Sequence, residues 1–223
     1  GAAMASDIAA TFSPDRAPET RQQRNVGGSA LFWAGKRIFD VSFSLLLLPF
    51  VGLIAVLLLP ANRVANKGPL FFVQERMGRG ATPFRAIKFR TMVPSGQVAR
   101  GIHDPIEETR ITRLGFVLRR ARIDELPQVL NVLKGEMSLI GPRPDMVDHA
   151  REFMRHIPDY AARHTVRPGI SGLAQVTLGY ASGLQQTRTK AATDLVYIEH
   201  ASFRLEARIF WLTLVTIVGR RGA

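Results

Sequence analysis

From Ile38 to Leu59 the chain reads IFDVSFSLLLLPFVGLIAVLLL, an almost unbroken apolar run. At a helical rise of about 1.5 Å per residue it is long enough to cross a hydrocarbon core roughly 30 Å thick. It lies far from the start and no small-residue cleavage site follows it, which argues against a secretory signal. Pro49 sits near the centre of the run, where it removes a backbone donor and crowds the preceding turn, so a kink is predicted there. Lys36 and Arg37 precede the run and Arg63 and Lys67 follow it, so the charge bias that orients a spanning helix is nearly balanced. Two arrangements satisfy these residues equally. A Pro-kinked helix can span the bilayer, or two half-helices of about ten residues, each reaching roughly 15 Å, can dip into one leaflet and return as a re-entrant hairpin.

Beyond this segment the period shortens. Leu70 to Val73 and Phe84 to Phe89 are short β-prone runs on either side of a turn containing Gly78 and Gly80, which predicts a hairpin. Lys88 and Arg90 alternate with Ile87 and Phe89, placing both cations on one face of the second strand, a face suited to a phosphate and equally to solvent. Residues 93–108 are rich in Gly, Pro, Ser and acidic side chains and read as a loop. Helical spacing then returns at Ile111, Leu114 and Leu118. That helix starts either at Asp104, with Pro105 in its first turn and Glu107 completing a capping box, or at Thr112. Leu126, Val129, Leu130 and Leu133 define a second helix, with Asp124 as its N-cap, Pro127 in its first turn and Gly135 as its stop. Val147, Ala150, Met154 and Ile157 define a third, capped by Asp145. The C-terminal FRLEARIFWLTLVTIVGRR is apolar for only about ten residues after Arg208, too short to span, and ends in Arg220-Arg221; it fits an interfacial helix or a buried core helix. These elements predict an α+β chain, mainly helical with one small β-hairpin.

Composition narrows the partners. The chain has 223 residues, 46% of them hydrophobic, which argues for a folded core. Residues 1–28 are small, polar and Pro/Gly-punctuated and read as a flexible tail, with Gly1, Ala2 and Ala3 ahead of Met4 resembling a cloning scar. A formal charge of +12 implies anionic partners: nucleic acid, an acidic lipid surface or phosphorylated small molecules. The lack of cysteine excludes disulfides, thiolate nucleophiles and Cys-ligated metals.

The candidate chemistry centres on ARIDELPQVLNVLKG, where Asp124 and Glu125 follow Arg119, Arg120 and Arg122. An acidic pair at a helix start is usually a cap. Beside several arginines, however, the dipole and the cations both favour ionisation, and an ionised carboxylate can attack phosphorus or hold a divalent cation. Gly141-Pro142-Arg143-Pro144 presents a guanidinium from a stiff loop, a fork suited to a diphosphate. VRPGISGLAQV, residues 166–176, offers Arg167 as a further cation.

FFVQERMG, PFRAIKFRTM, ITRLGFVLRRARIDELPQVLNVLKGEMSLIGPRP and VRPGISGLAQV, in this order behind a basic-flanked apolar segment, resemble the bacterial sugar transferases known as monotopic phosphoglycosyl transferases. The resemblance runs from about Lys36 to the C-terminus and is to the short form, without a multi-pass membrane domain ahead of the catalytic part. It implies transfer of a sugar-1-phosphate from a UDP-sugar to polyprenyl (undecaprenyl) phosphate with release of UMP, an early membrane step of exopolysaccharide or glycoconjugate synthesis. On the same resemblance Asp124 is the nucleophile that carries the phosphosugar, Glu125 its partner, and magnesium is held at Asp124 and Glu125. Arg119 and Arg143 contact phosphate, and Lys88 and Arg90 support them; Arg167 stays a further candidate for phosphate or substrate from its own loop. Pro49 marks the break of a re-entrant helix, which favours the hairpin over the spanning helix. The expected organisation is a tail at 1–28, the re-entrant helix and its flanks at 29–66, a cytoplasmic catalytic domain at 67–200 and an interfacial helix at 201–223. The expected place is the cytoplasmic face of the bacterial inner membrane, with membrane lipid and a second copy of the chain as further partners and no nucleic acid.

Three departures from the family pattern stand out. Leu48 replaces the common Ser before the proline, Ala121-Arg122 replace Thr-Ser before the acidic pair, and Thr177-Leu178-Gly179-Tyr180 replace Asn-Gly-Arg-Asn. Arg122 is expected to lower the nucleophile's pKa further. Two other classes remain. A tethered nucleic-acid binder lacks an aromatic stacking motif among its cations. A non-catalytic basic membrane-surface scaffold leaves the acidic pair unexplained.

Overall fold

The computed structural model describes residues 26–66, 68–94, 108–178 and 183–219. Most of the predicted tail, the loop beyond residue 94, the alternative helix start at Asp104, Gly179 and Tyr180 of the departing loop, and Arg220-Arg221 lie outside the described residues.

The apolar run lies within one long helix, α1 (Ala30–Ala65), which begins where the Ser29 hydroxyl accepts from the Phe32 amide. The helix continues through Pro49 and Pro60, so the predicted break at Pro49 does not interrupt it. Its buried positions Phe32, Lys36, Asp40, Ser44, Val51, Leu58 and Asn62 recur every four or seven residues and form a single stripe. That stripe is held along its whole length, about 54 Å for an ideal helix. Near the start, Arg37 donates to the Val132 and Leu133 carbonyls at 2.7 and 3.2 Å, and Asp40 accepts from the Ser138 hydroxyl at 2.7 Å and the Leu139 amide at 3.2 Å. Near the end, Asn62 donates to the Gly68 carbonyl and Asn66 to the Arg90 carbonyl, both at 2.6 Å. The opposite face is bare: Leu45, Leu46, Phe50, Leu53, Val56, Leu57 and Leu59 are each more than half exposed. An apolar face of this extent is stable only against lipid or another apolar surface, and it is consistent with membrane association.

The predicted hairpin forms from β1 (Phe71–Met77) and β2 (Pro83–Phe89), antiparallel, with Phe71 opposite Phe89 and Met77 opposite Pro83. Helix α2 (Arg113–Arg120) takes the later of its two predicted starts, with the Thr112 hydroxyl accepting from the Gly115 amide at 2.9 Å. A 3-10 helix (Ile123–Gln128) leads into α3 (Val129–Lys134), which stops at Gly135 in the left-handed conformation, φ 85°, as the glycine predicts.

One sheet escaped the sequence pattern. Strands β3 (Ser138–Ile140) and β4 (Gly169–Ser171) pair in parallel across the intervening α4 (Val147–His156) and a 3-10 helix (Tyr160–Thr165). Each strand is three residues long, too short for periodicity to register. Helices α5 (Leu173–Leu178), α6 (Leu184–Glu199) and α7 (Phe203–Val218) complete the chain. In α7, Leu205, Ile209 and Leu212 enter the core, the second of the two roles the sequence allowed, while Phe203, Trp211, Leu214 and Val215 stay exposed.

Candidate active site

A tight turn builds the site. Arg122 adopts the left-handed conformation, φ 54° and ψ 19°, unusual for a residue with a side chain, and so reverses the chain between α2 and the 3-10 helix. Asp124 therefore lies inside the 3-10 helix and does not act as the predicted cap. Asp145 is not a cap either. Helix α4 has Met146 at its N-cap, without a side-chain bond, and the Asp145 carboxylate is drawn into ion pairs instead. Ile123 and Leu126, on either side of the acidic pair, pack in one cluster with Leu47, Leu48, Val51 and Leu58 of α1, so the pair sits on the middle of the apolar helix.

The two carboxylates have different surroundings. Glu125 is 6% exposed; its Oε1 accepts from Lys88 Nζ at 2.7 Å and from Arg143 Nη2, and its Oε2 accepts from Arg143 Nη1 at 3.0 Å with Arg122 Nη1 at 3.6 Å. Burial works to raise its pKa, but Arg143 and Lys88 hold the carboxyl well below the usual range. Asp124 is 9% exposed, and among the described residues no hydrogen bond or ion pair engages its carboxylate. Burial, and then the charge of Glu125, push Asp124 up to about 6 against the pull of Lys88, Arg143 and Arg119. The direction is opposite to the one the sequence predicts, because desolvation outweighs the nearby cations. Above pH 6 the ionised form still prevails.

Of the predicted site residues, Lys88, Asp124, Glu125 and Arg143 meet, and half-buried Arg119 lies close enough to act on Asp124 electrostatically. Arg90 and Arg167 do not join them. Strand β2 ends at Phe89, and Arg90 turns back to donate to the Pro69 carbonyl at 2.7 Å and cover the Phe72 ring at 5.8 Å. Arg167 donates to the Gly135 carbonyl at 2.9 Å at the end of α3.

Two devices hold these side chains in register. The fully buried Asn131 donates to the Arg85 carbonyl at 2.8 Å and to Glu136 at 2.7 Å, and accepts from the Ile87 amide at 3.1 Å, so it staples β2, which carries Lys88, to the helix behind the acidic pair. Gly141 and Gly169 touch backbone to backbone: a Cβ on Gly169 would stand 2.1 Å from the Gly141 nitrogen. That contact lets the Gly169 amide bond the Pro142 carbonyl at 2.9 Å and anchors the Arg143 loop on β4. Asn131 was detectable as one amide inside the apolar run VLNVL.

Among the described residues of the site a divalent cation finds one uncommitted carboxylate, Asp124, because both Glu125 oxygens are already held by cations. No cluster of three or more His, Asp or Glu suited to a metal occurs among the described residues. The donor set therefore fits a cation that keeps most of its shell as water and substrate oxygens, as magnesium does at phosphate sites. It does not fit the expectation that Glu125 is also a ligand.

Comparison with known proteins gives this geometry a context. The chain is 41% identical over 188 residues to UDP-N-acetylgalactosamine-undecaprenyl-phosphate N-acetylgalactosaminephosphotransferase of Aeromonas hydrophila, covering 84% of this chain and 44% of that protein. It is 38% identical over 191 residues to UDP-glucose:undecaprenyl-phosphate glucose-1-phosphate transferase of Caulobacter vibrioides, covering 82% and 69%. It is 35% identical over 195 residues to the exopolysaccharide production protein PSS of Rhizobium leguminosarum, covering 83% and 96%. Less than half of the Aeromonas protein's length is thus represented, and nearly all of the Rhizobium protein's. The sugar transferase profile itself aligns with residues 31–220, a stretch that includes all but the first residue of α1 and every side chain of the acidic site, and the chain belongs to the bacterial sugar transferase family.

Proposed function

We propose that the protein transfers a sugar-1-phosphate from a UDP-sugar to polyprenyl phosphate, with Asp124 as the nucleophile. The observation that carries this reading is the contrast within the acidic pair: Glu125 is saturated by Lys88 and Arg143, whereas Asp124 is ionised near neutral pH and uncommitted. A carboxylate oxygen of Asp124 attacks the phosphorus bearing the sugar. The bond from that phosphorus to the UMP oxygen breaks, UMP departs with the electron pair, and the sugar phosphate remains on Asp124. An oxygen of polyprenyl phosphate then attacks the same phosphorus, freeing the carboxylate and giving a polyprenyl diphosphate sugar. Phosphoryl transfer depends on charge neutralisation and alignment, and Glu125 keeps Lys88 and Arg143 oriented before substrate arrives. Arg119 adds charge at the same place. Magnesium, held by Asp124, would supply further neutralisation of the diphosphate.

The position of the site on α1 suits a lipid acceptor. Arg37 and Asp40 near one end of this helix and Asn62 and Asn66 near the other bind the same folded unit, which supports both ends lying on one side of the bilayer and a monotopic placement at the cytoplasmic face of the inner membrane. The names of the relatives support undecaprenyl phosphate as acceptor and exopolysaccharide synthesis as the setting. UMP release from a panel of UDP-sugars, with undecaprenyl phosphate and magnesium in nanodiscs, tests the reading. Release from one or two donors, abolished in Asp124→Asn, is expected. Absence of release from every donor, or unchanged release in the variant, overturns it.

A further inference from the structure

The loop that carries Arg143 is bonded to a second group of charges that the proposed chemistry does not use. At its centre is Arg163, whose side chain is 1% exposed. Its five N–H groups are all taken. Nη1 donates to Asp145 and, at 2.8 Å, to the Tyr160 hydroxyl; Nε and Nη2 donate to Asp194 at 3.1 and 2.6 Å; and Nη2 also donates to the backbone carbonyl of Arg143 at 2.8 Å. Asp145 in turn accepts from Lys190 at 2.7 Å and Tyr160 at 2.6 Å. Two cations and two carboxylates balance, so the group is electrically closed. The bond from Arg163 to the Arg143 carbonyl leaves it and ends on the residue whose guanidinium grips Glu125.

The geometry points to Arg163 as a positioning residue for Arg143. A guanidinium offers five donors in a rigid fork, and only such a fork can reach two carboxylates, a hydroxyl and a carbonyl from one buried spot. With the carbonyl held, Pro142 and Pro144 stiff on either side and Gly141 seated on Gly169, the Arg143 side chain leaves the backbone in one direction, toward Glu125. This inference rests on the reading of Arg143 as a ligand of the donor's diphosphate. A misplacement of about 1 Å at such a group is enough to cost up to about 100-fold.

A double-mutant cycle separates positioning from general stability. The activities compared are kcat/KM for the UDP-sugar in wild type, Arg163→Lys, Arg143→Ala and the double variant, all reconstituted in nanodiscs with magnesium. Arg163→Lys is expected to lower kcat/KM by about tenfold, mainly through KM, and by less than about twofold once Arg143 is Ala, because no guanidinium is left to aim. Equal losses in both backgrounds overturn the inference while leaving the reading of Arg143 intact. An unchanged kcat/KM in Arg143→Ala instead overturns that reading and the inference with it. The charge-balanced variant Arg163→Gln/Asp194→Asn repeats the cycle if Arg163→Lys does not fold. Failure of both to fold also counts against the proposal, since a bond that only aims Arg143 is not needed for folding.

Discussion

Neutralising the two adjacent carboxylates has opposite consequences for stability. Burial and the charge of Glu125 raise Asp124 from 3.8 to about 6. For a carboxyl whose pKa is raised on folding, the folded state is favoured below the unfolded value and loses that advantage as pH climbs through the folded one. At about 1.36 kcal/mol per pH unit, ionised Asp124 costs the fold about 3 kcal/mol at pH 7.5. Asp124→Asn, nearly isosteric and neutral, removes that cost, so the variant is expected to be about 3 kcal/mol more stable at pH 7.5, about half that at pH 5, and equal to wild type near pH 3.5. Glu125→Gln removes the carboxylate that Lys88 and Arg143 contact directly, and breaking a buried pair from one side costs about 3–5 kcal/mol. The assay is denaturant unfolding in detergent micelles with a chelator present, followed across pH for the three proteins. A loss of more than about 1 kcal/mol in Asp124→Asn at pH 7.5, or no loss in Glu125→Gln, refutes the division of labour assigned to the pair.

Two further outcomes follow from groups around the site. His164 is 6% exposed and its Nε2 is buried with no partner among the described residues, and burial followed by the charge of Arg163 lowers it to about 4 from 6.5. Folded protein therefore resists a proton that unfolded chain accepts as pH falls below 6.5, and the stability gap between His164→Phe and wild type should move toward the variant by about 2 kcal/mol from pH 7 to pH 5, measured by unfolding at both. Asn131→Leu strands the Ile87 amide and the Arg85 carbonyl and should cost about 3 kcal/mol, with faster hydrogen exchange at the Ile87 amide and a lower kcat/KM as Lys88 loosens.

Local rules made much of this architecture legible. The apolar run from Ile38 to Leu59 announced α1, the glycines between two β-prone runs announced the hairpin, and Thr112 and Gly135 marked real helix ends. The acidic pair stood out because its charge contradicted its neighbourhood. What escaped depends on partners distant in sequence. Asp145 looks like a cap until Arg163 and Lys190 arrive from other elements to claim it, and Arg90 shares a face with Lys88 only if the strand continues past Phe89. The sequence predicts the wrong sign for the shift of Asp124 because neighbouring cations can be read along the chain, whereas the burial that outweighs them is set by the packing of α1 against Ile123 and Leu126. Asp194 and Glu206 are buried acids inside helices, and nothing along the chain announces the cations, Arg163 and Lys36, that pair with them.

Intact-mass spectrometry of the protein mixed with a UDP-sugar and magnesium, with no polyprenyl phosphate present, bears most directly on Asp124 as the atom-bonding nucleophile. The account predicts a species heavier by one sugar phosphate, mapped to Asp124 by peptide fragmentation, absent in Asp124→Asn and discharged on adding undecaprenyl phosphate. Turnover of donor and acceptor together without any such species, or the adduct on a different residue, would contradict it.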